Sequence, residues 1–93
     1  MKKYQIGMTA TIKLEVRLLG VLKNADSASV TIYDPLNTAS VSAVAMTRID
    51  TGKYEYRFAI TANSVPGIYK GVAYATVGSV NFGDLFSFEA VWI

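Results

Sequence analysis

The segment from residue 53 to 60 constrains the fold most, because it alternates strictly between polar and apolar side chains. In a β-strand, successive side chains point to opposite faces. One face would carry the large apolar side chains, Tyr54, Tyr56, Phe58 and Ile60. The other would carry the charged side chains, Lys53, Glu55 and Arg57. A strand with one apolar and one charged face is typical of an antiparallel sheet that covers a core on one side and meets water on the other.

The rest of the chain predicts further short strands separated by turn signals every eight to fifteen residues, with no helical periodicity. With 93 residues, we expect a single domain spanning residues 1–93. The predicted strands are 3–6, 11–19, 28–34, 38–47, 53–60, 68–77 and 85–93. In the strand at 38–47, we expect Val44 and Met46 to point inward. In the last strand, Trp92 shares the inward phase of Phe86 and Phe88, which predicts a position in or beside the core.

Short motifs at the predicted turns add a resemblance to a known family. They are Gly7, Asp34-Pro35, Gly52-x-Tyr54, Pro66-Gly67-x-Tyr69 and Phe86-x-Phe88. Their order resembles the immunoglobulin-like and fibronectin type III-like modules of bacterial, archaeal and phage proteins. The resemblance implies an antiparallel seven-stranded immunoglobulin-like β-sandwich, in which the hydroxyl of Tyr69 turns back to the backbone. It implies no single activity.

The chain departs from the antibody-type pattern of that family in three ways. It has no cysteine pair, no tryptophan in the strand at 28–34, and Leu36 where glycine often follows Asp-Pro. These departures argue against an antibody-type domain.

Composition excludes several kinds of chemistry. The chain has no histidine and no cysteine, which rules out histidine-based triads, thiol nucleophiles and ordinary zinc sites. A domain of this size also has little room for a deep pocket. We therefore expect no enzymatic activity, no cofactor and no small-molecule substrate. The net charge of +2 is spread along the chain without a basic cluster, so we expect no nucleic-acid binding.

Three aspartates are the weak candidates for a metal site. Asp26, Asp50 and Asp84 fall in predicted loops that share one end of the sandwich, with Asn24 and Asn81 nearby. Calcium takes six to eight oxygen ligands, and this set could contribute some of them. The stronger interpretation is that aspartate and asparagine occupy turns because their side chains bond the local backbone. We expect no metal.

The charged faces of two strands predict a register. The strands at 11–19 and 53–60 should be neighbours, and direct opposition of Glu15 and Glu55 would place like charges together. We predict a shift of two residues, which sets Glu15 opposite Arg57 and Arg17 opposite Glu55, or the converse.

The predicted sheet that contains residues 68–77 has a different outer face. Tyr33, Val72 and Tyr74 would point outward there with little charge around them, which favours a protein interface or self-association. Scattered apolar side chains on a surface are also normal. Phe82, in the predicted loop 78–84, either folds back onto the core, which is the favoured alternative, or forms an exposed anchor for a partner.

The start of the chain lacks the pattern of a secretory signal, and no stretch is apolar enough to span a membrane, so we expect no membrane insertion. We expect a non-enzymatic structural or protein-binding module. The favoured hypothesis is a small virion or assembly component, such as a phage or prophage head, neck, tail or decoration protein, located in the virion or cytoplasm. The alternative is an excised adhesion or spacer module of a larger surface or secreted protein.

Overall fold

The computed structural model of the chain describes residues 2–61 and 64–92. These residues form ten β-strands and no helix. The strands are β1 (Lys2–Gln5), β2 (Thr9–Glu15), β3 (Arg17–Leu18), β4 (Val21–Leu22), β5 (Ser27–Tyr33), β6 (Ala39–Ala45), β7 (Thr47–Asp50), β8 (Lys53–Ala59), β9 (Gly67–Val77) and β10 (Val80–Val91). The fold is therefore all-β, as the alternation predicts.

The strands form two main sheets and a hairpin. The large sheet has the order β1-β10-β9-β5-β6, the small sheet has the order β2-β8-β7, and β3 pairs only with β4. The expectation of purely antiparallel pairing is wrong, because β1 runs parallel to β10, with Lys2 opposite Phe88. The chain turns at Gly7 and enters the small sheet, so β1 and β2 do not form a hairpin. The described strands also number ten and not seven.

The two sheets pack face to face around one core. The small sheet contributes Ala10, Ile12, Leu14 and Tyr54, and the large sheet contributes Val30, Ile32, Tyr69, Ala73 and Phe88. Aromatic rings join the two layers: the Phe58 and Tyr69 ring centroids lie 5.7 Å apart, and Tyr69 stacks on Phe88 at 5.2 Å. This arrangement is consistent with a β-sandwich.

The alternating segment behaves as predicted. Tyr54 and Ile60 are buried, and Tyr56 and Phe58 pack against the core. The register between β2 and β8 is also shifted by two residues, in the converse direction, so that Glu15 lies opposite Lys53 and Lys13 opposite Glu55. The prediction of opposite charges across this strand pair is therefore confirmed.

Tyr69 makes the contact that its motif predicts. Its hydroxyl donates a hydrogen bond of 2.7 Å to the carbonyl oxygen of Val65. Burial raises the pKa of this hydroxyl above its ordinary value, and the nearby Asp34 carboxylate acts in the same direction. The neutral phenol is thus the form that suits the folded chain.

The predicted strand at 38–47 is divided between the two sheets. Met46 is buried as predicted, and Val41 is also buried. Ala43 has a φ of 48°, and the pairing of β5 with β6 slips between Val30 and Ile32, which marks a bulge. The extra residue brings Val41 and Val44 to the same face, where they lie opposite the buried Ile32 and Val30. Val44 therefore has the inward phase expected for it, but it is 41% exposed because β6 is an edge strand of the large sheet.

The end of the chain forms a long hairpin. Only Gly78 and Ser79 connect β9 to β10, with Val77 opposite Val80. The prediction of a loop at 78–84 is therefore wrong, and a φ of 58° at Gly78 shows how a turn of two residues is possible. Trp92 is 60% exposed, because β10 ends at Val91, so its predicted place in the core is also wrong. Ile93, the end of the predicted strand, lies outside the described residues.

Candidate functional site

The candidate site is the outer face of the large sheet, and strand alternation determines which side chains reach it. In β9, Tyr69, Ala73 and Ala75 are buried in the core. The intervening residues, Val72 and Tyr74, must therefore point away from the core. This is the face that the sequence predicts for them.

Neighbouring strands extend this face sideways. Val72 lies opposite Thr31 of β5 on one side and opposite Leu85 of β10 on the other. Tyr33 lies two residues after Thr31 on the same face, opposite Lys70. We call Tyr33, Val72, Tyr74 and Leu85 the apolar strip.

Three members of the apolar strip are well exposed, at 43% for Tyr33, 38% for Tyr74 and 84% for Leu85. Val72 is half-buried between them. Lys70 is the one charged residue among those that lie directly opposite these side chains on neighbouring strands. A face of this kind loses more unfavourable water contact on binding than a face covered with charges.

Thr31 fixes the geometry beneath the strip, a role that the sequence analysis missed. Its side chain is almost fully buried, and its Oγ1 accepts a hydrogen bond of 3.0 Å from the backbone N–H of Ala43. The same oxygen lies 3.3 Å from the hydroxyl of Tyr74. Thr31 thus links the bulge in β6 to the ring of Tyr74 and holds that ring in a defined position on the surface.

Leu85 is the second residue that the sequence analysis missed. A groove of about 360 Å³ opens beside it, lined by Lys70, Gly71, Leu85, Phe86 and Ser87. Alternation in the sequence indicates this position: Phe86 and Phe88 are expected to point inward, so Leu85, directly before Phe86, points outward. The prediction of a loop up to residue 84 concealed this.

Phe82 does not lie on the outer face. It belongs to β10, is half-buried and packs against the core. This position matches the favoured alternative in the sequence analysis, in which the ring folds back onto the core. Phe82 is thus separated from Tyr33, Val72 and Tyr74.

The three aspartates stay apart. One Asp26 carboxylate oxygen accepts a hydrogen bond of 2.7 Å from the N–H of Gly78, and Asp50 accepts one from the N–H of Thr51. Asp84 lies in β10, opposite Ala73 and away from the turn. Within residues 2–61 and 64–92, no group of three or more acidic side chains could hold a metal ion. Asp26 and Asp50 fulfil the backbone-bonding role that aspartates commonly have in turns.

Comparison with known proteins gives no relative for this chain: no family model matches it, and no curated protein or solved structure matches it significantly. In the described part of the chain, no helix has the length and apolar character needed to cross a membrane.

Proposed function

We propose that this chain is a non-enzymatic structural or protein-binding module that docks to other proteins through the apolar strip. The observation that carries the proposal is the exposure of Tyr33, Tyr74 and Leu85 together on one face of the large sheet. Tyrosine is enriched at the centres of protein interfaces, because its ring is large and rigid and its hydroxyl can bond to a partner.

We also propose that the module is of the immunoglobulin-like type. Two observations support this: a three-stranded sheet faces a larger sheet across a shared core, and the hydroxyl of Tyr69 bonds to the backbone four residues upstream. Modules of this kind carry their function on surfaces and loops, and the fold itself specifies no partner.

The more specific proposal is a small virion or assembly component, such as a phage or prophage head, neck, tail or decoration protein. A small domain that offers a docking face and no histidine or cysteine chemistry suits a part that is held in place by neighbours. The alternative, an excised adhesion or spacer module of a larger surface or secreted protein, would use the same face.

The genomic position of the coding sequence separates these two proposals. Neighbouring genes for capsid or tail proteins would support the assembly role and would supply candidate partners. A reading frame that continues upstream to a signal peptide would overturn the assembly role in favour of the adhesion module.

Candidate partners from those genes can be tested directly by titration calorimetry with the purified chain. Tyr33→Lys should weaken binding by at least tenfold, because it places a charge in the apolar strip. Thr9→Lys is the matched control, since Thr9 is exposed on the small sheet and lies opposite Ala59. Equal effects of the two substitutions would contradict docking through the apolar strip.

A further inference from the structure

One edge of the large sheet is only half covered. β1 pairs with β10 from Phe88 to Val91, so Val80–Ser87 has no partner strand on that side among the described residues. The backbone oxygen of Val91 accepts a hydrogen bond from the N–H of Ile6 across this edge. Because backbone groups alternate along a strand, the N–H and C=O groups of Asn81, Gly83 and Leu85 point toward the same open edge.

This open segment lacks most of the features that normally prevent strand pairing, and Asp84 is the one charge on its inner face. Exposed edges are usually blocked by lysine, proline, bulges or short strands. The free edge of β2 exposes Lys13 and Glu15, β6 contains the left-handed Ala43, and β7 has four residues and an irregular register. In contrast, Val80–Ser87 is regular, contains no lysine or proline, and carries Asp84 as its one charge.

We propose that a second copy of this chain pairs with this edge, antiparallel, about a two-fold axis through Gly83. The open segment is bounded by β1 at one end and by the turn at Gly78 at the other. It therefore accepts a strand of about its own length, and a second β10 supplies one. The two large sheets would become one continuous sheet of ten strands.

The side chains select the position of the axis. A two-fold axis perpendicular to the sheet keeps the inner faces of both copies on one side of the joined sheet. The residue through which the axis passes then lies opposite the same residue of the other copy. An axis at Asp84 would oppose two carboxylates, which is unfavourable. An axis at Leu85 would set Asn81 opposite Glu89 of the other copy, a position that β1 already covers.

An axis at Gly83 avoids both problems. It sets Gly83 opposite Gly83 and Asn81 opposite Leu85 of the other copy. All three residues whose backbone groups point toward the open edge then form hydrogen-bonded pairs. Gly83 has no side chain, and a Cβ atom at this position would have no atom within 4 Å. The second strand can therefore approach closely at the axis.

Cysteine substitution tests this register, because the chain has no cysteine of its own. Directly opposed Cα atoms in a hydrogen-bonded pair lie about 5.5 Å apart, within the range of a disulfide. Gly83→Cys should form a covalent dimer on mild oxidation. Ser87→Cys is the matched control, since its two copies would lie roughly 27 Å apart, at about 3.4 Å per residue.

Light scattering tests the assembly itself. The wild type should reach twice the mass of the 10.1 kDa chain as concentration rises. Gly83→Pro should remain monomeric and folded by circular dichroism, because its missing N–H faces the open edge and not β9. A wild type that stays monomeric at millimolar concentration overturns the proposal, as does a Gly83→Cys chain that cross-links no faster than Ser87→Cys.

These experiments are independent of the proposed docking function. Gly83→Pro removes self-pairing and leaves Tyr33, Val72 and Tyr74 unchanged, so partner binding should persist. Tyr33→Lys should weaken partner binding and leave the dimer intact. Failure of one proposal is therefore visible without failure of the other.

Discussion

The outer faces of the two sheets meet water in opposite ways. On the small sheet, Lys13 lies opposite Glu55 and Glu15 opposite Lys53. On the large sheet, the same pleated geometry presents Tyr33, Tyr74 and Leu85. The two faces cover one shared core, so the difference is not a requirement of folding.

The charges of the small sheet are largely matched within it. Arg57 lies 3.5 Å from the Glu55 carboxylate, and Arg17 pairs with Glu15. Exposed ion pairs of this kind add little stability, but they keep a surface hydrated and disfavour its association with other molecules. The apolar strip lacks this protection, which is why we propose that binding occurs on the large sheet.

The largest expected effect lies directly beneath the apolar strip. A Cβ atom at Gly71 would overlap the ring of Phe86 and lie 2.7 Å from the carbonyl oxygen of Thr31. Gly71→Ala should lower the free energy of unfolding by about 1–3 kcal/mol through overpacking, measured by urea denaturation. Gly83→Ala is the control and should change it by less than about 0.5 kcal/mol. Equal effects would show that the large sheet accommodates the added Cβ atom at Gly71 without strain and is not rigid beneath the apolar strip.

Tyr69 belongs to the region that the two faces share. Tyr69→Phe removes the hydrogen bond to Val65 and should cost about 1 kcal/mol. Unchanged stability in urea at neutral pH would contradict a contribution from this bond.

The same substitution has a pH signature. The folded chain raises the pKa of Tyr69 above 10.0, so the stabilisation is complete below pH 10 and is lost as the pH rises through the folded-state pKa. The loss of stability above pH 10 should therefore be shallower in Tyr69→Phe. An identical alkaline profile in both chains would contradict this role for the hydroxyl.

The smallest effect concerns the charged face. Lys53→Glu places a carboxylate opposite Glu15 and should lower stability by about 0.2–1 kcal/mol, less at high salt. Adding Glu15→Lys should restore most of the loss. Ser87→Glu, on the large sheet beside Lys70, should cost nothing. If the double substitution fails to recover stability, the matched charges do not support the strand pair.

The sequence predicts features that depend on neighbouring residues. The inward side of β8, the shifted register and the hydroxyl contact of Tyr69 all follow from period-two alternation, like-charge repulsion or a short motif. The outward positions of Tyr33 and Val72 follow in the same way.

The misplaced residues depend on backbone conformations that alternation does not encode. Val41 is buried although strict alternation puts it out of phase with Met46, because Ala43 adopts a left-handed conformation, which is uncommon for alanine, and forms a bulge between them. Phe82 and Asp84 lie in a strand and not in the predicted loop, because a two-residue turn lets β10 begin at Val80. The parallel pairing of β1 with β10 joins residues more than eighty positions apart, and no local pattern reports it.

That parallel pairing has a mechanical consequence. β1 and β10 lie side by side and run in the same direction, with Lys2 beside Phe88 and Gln5 beside Val91. A force applied between the start of β1 at Lys2 and the end of β10 at Val91 would act along the strands. Their hydrogen bonds would therefore be sheared together and not opened one after another. The chain should therefore resist stretching between its first and last strands more strongly than a terminal hairpin would, a useful property for a module under tension.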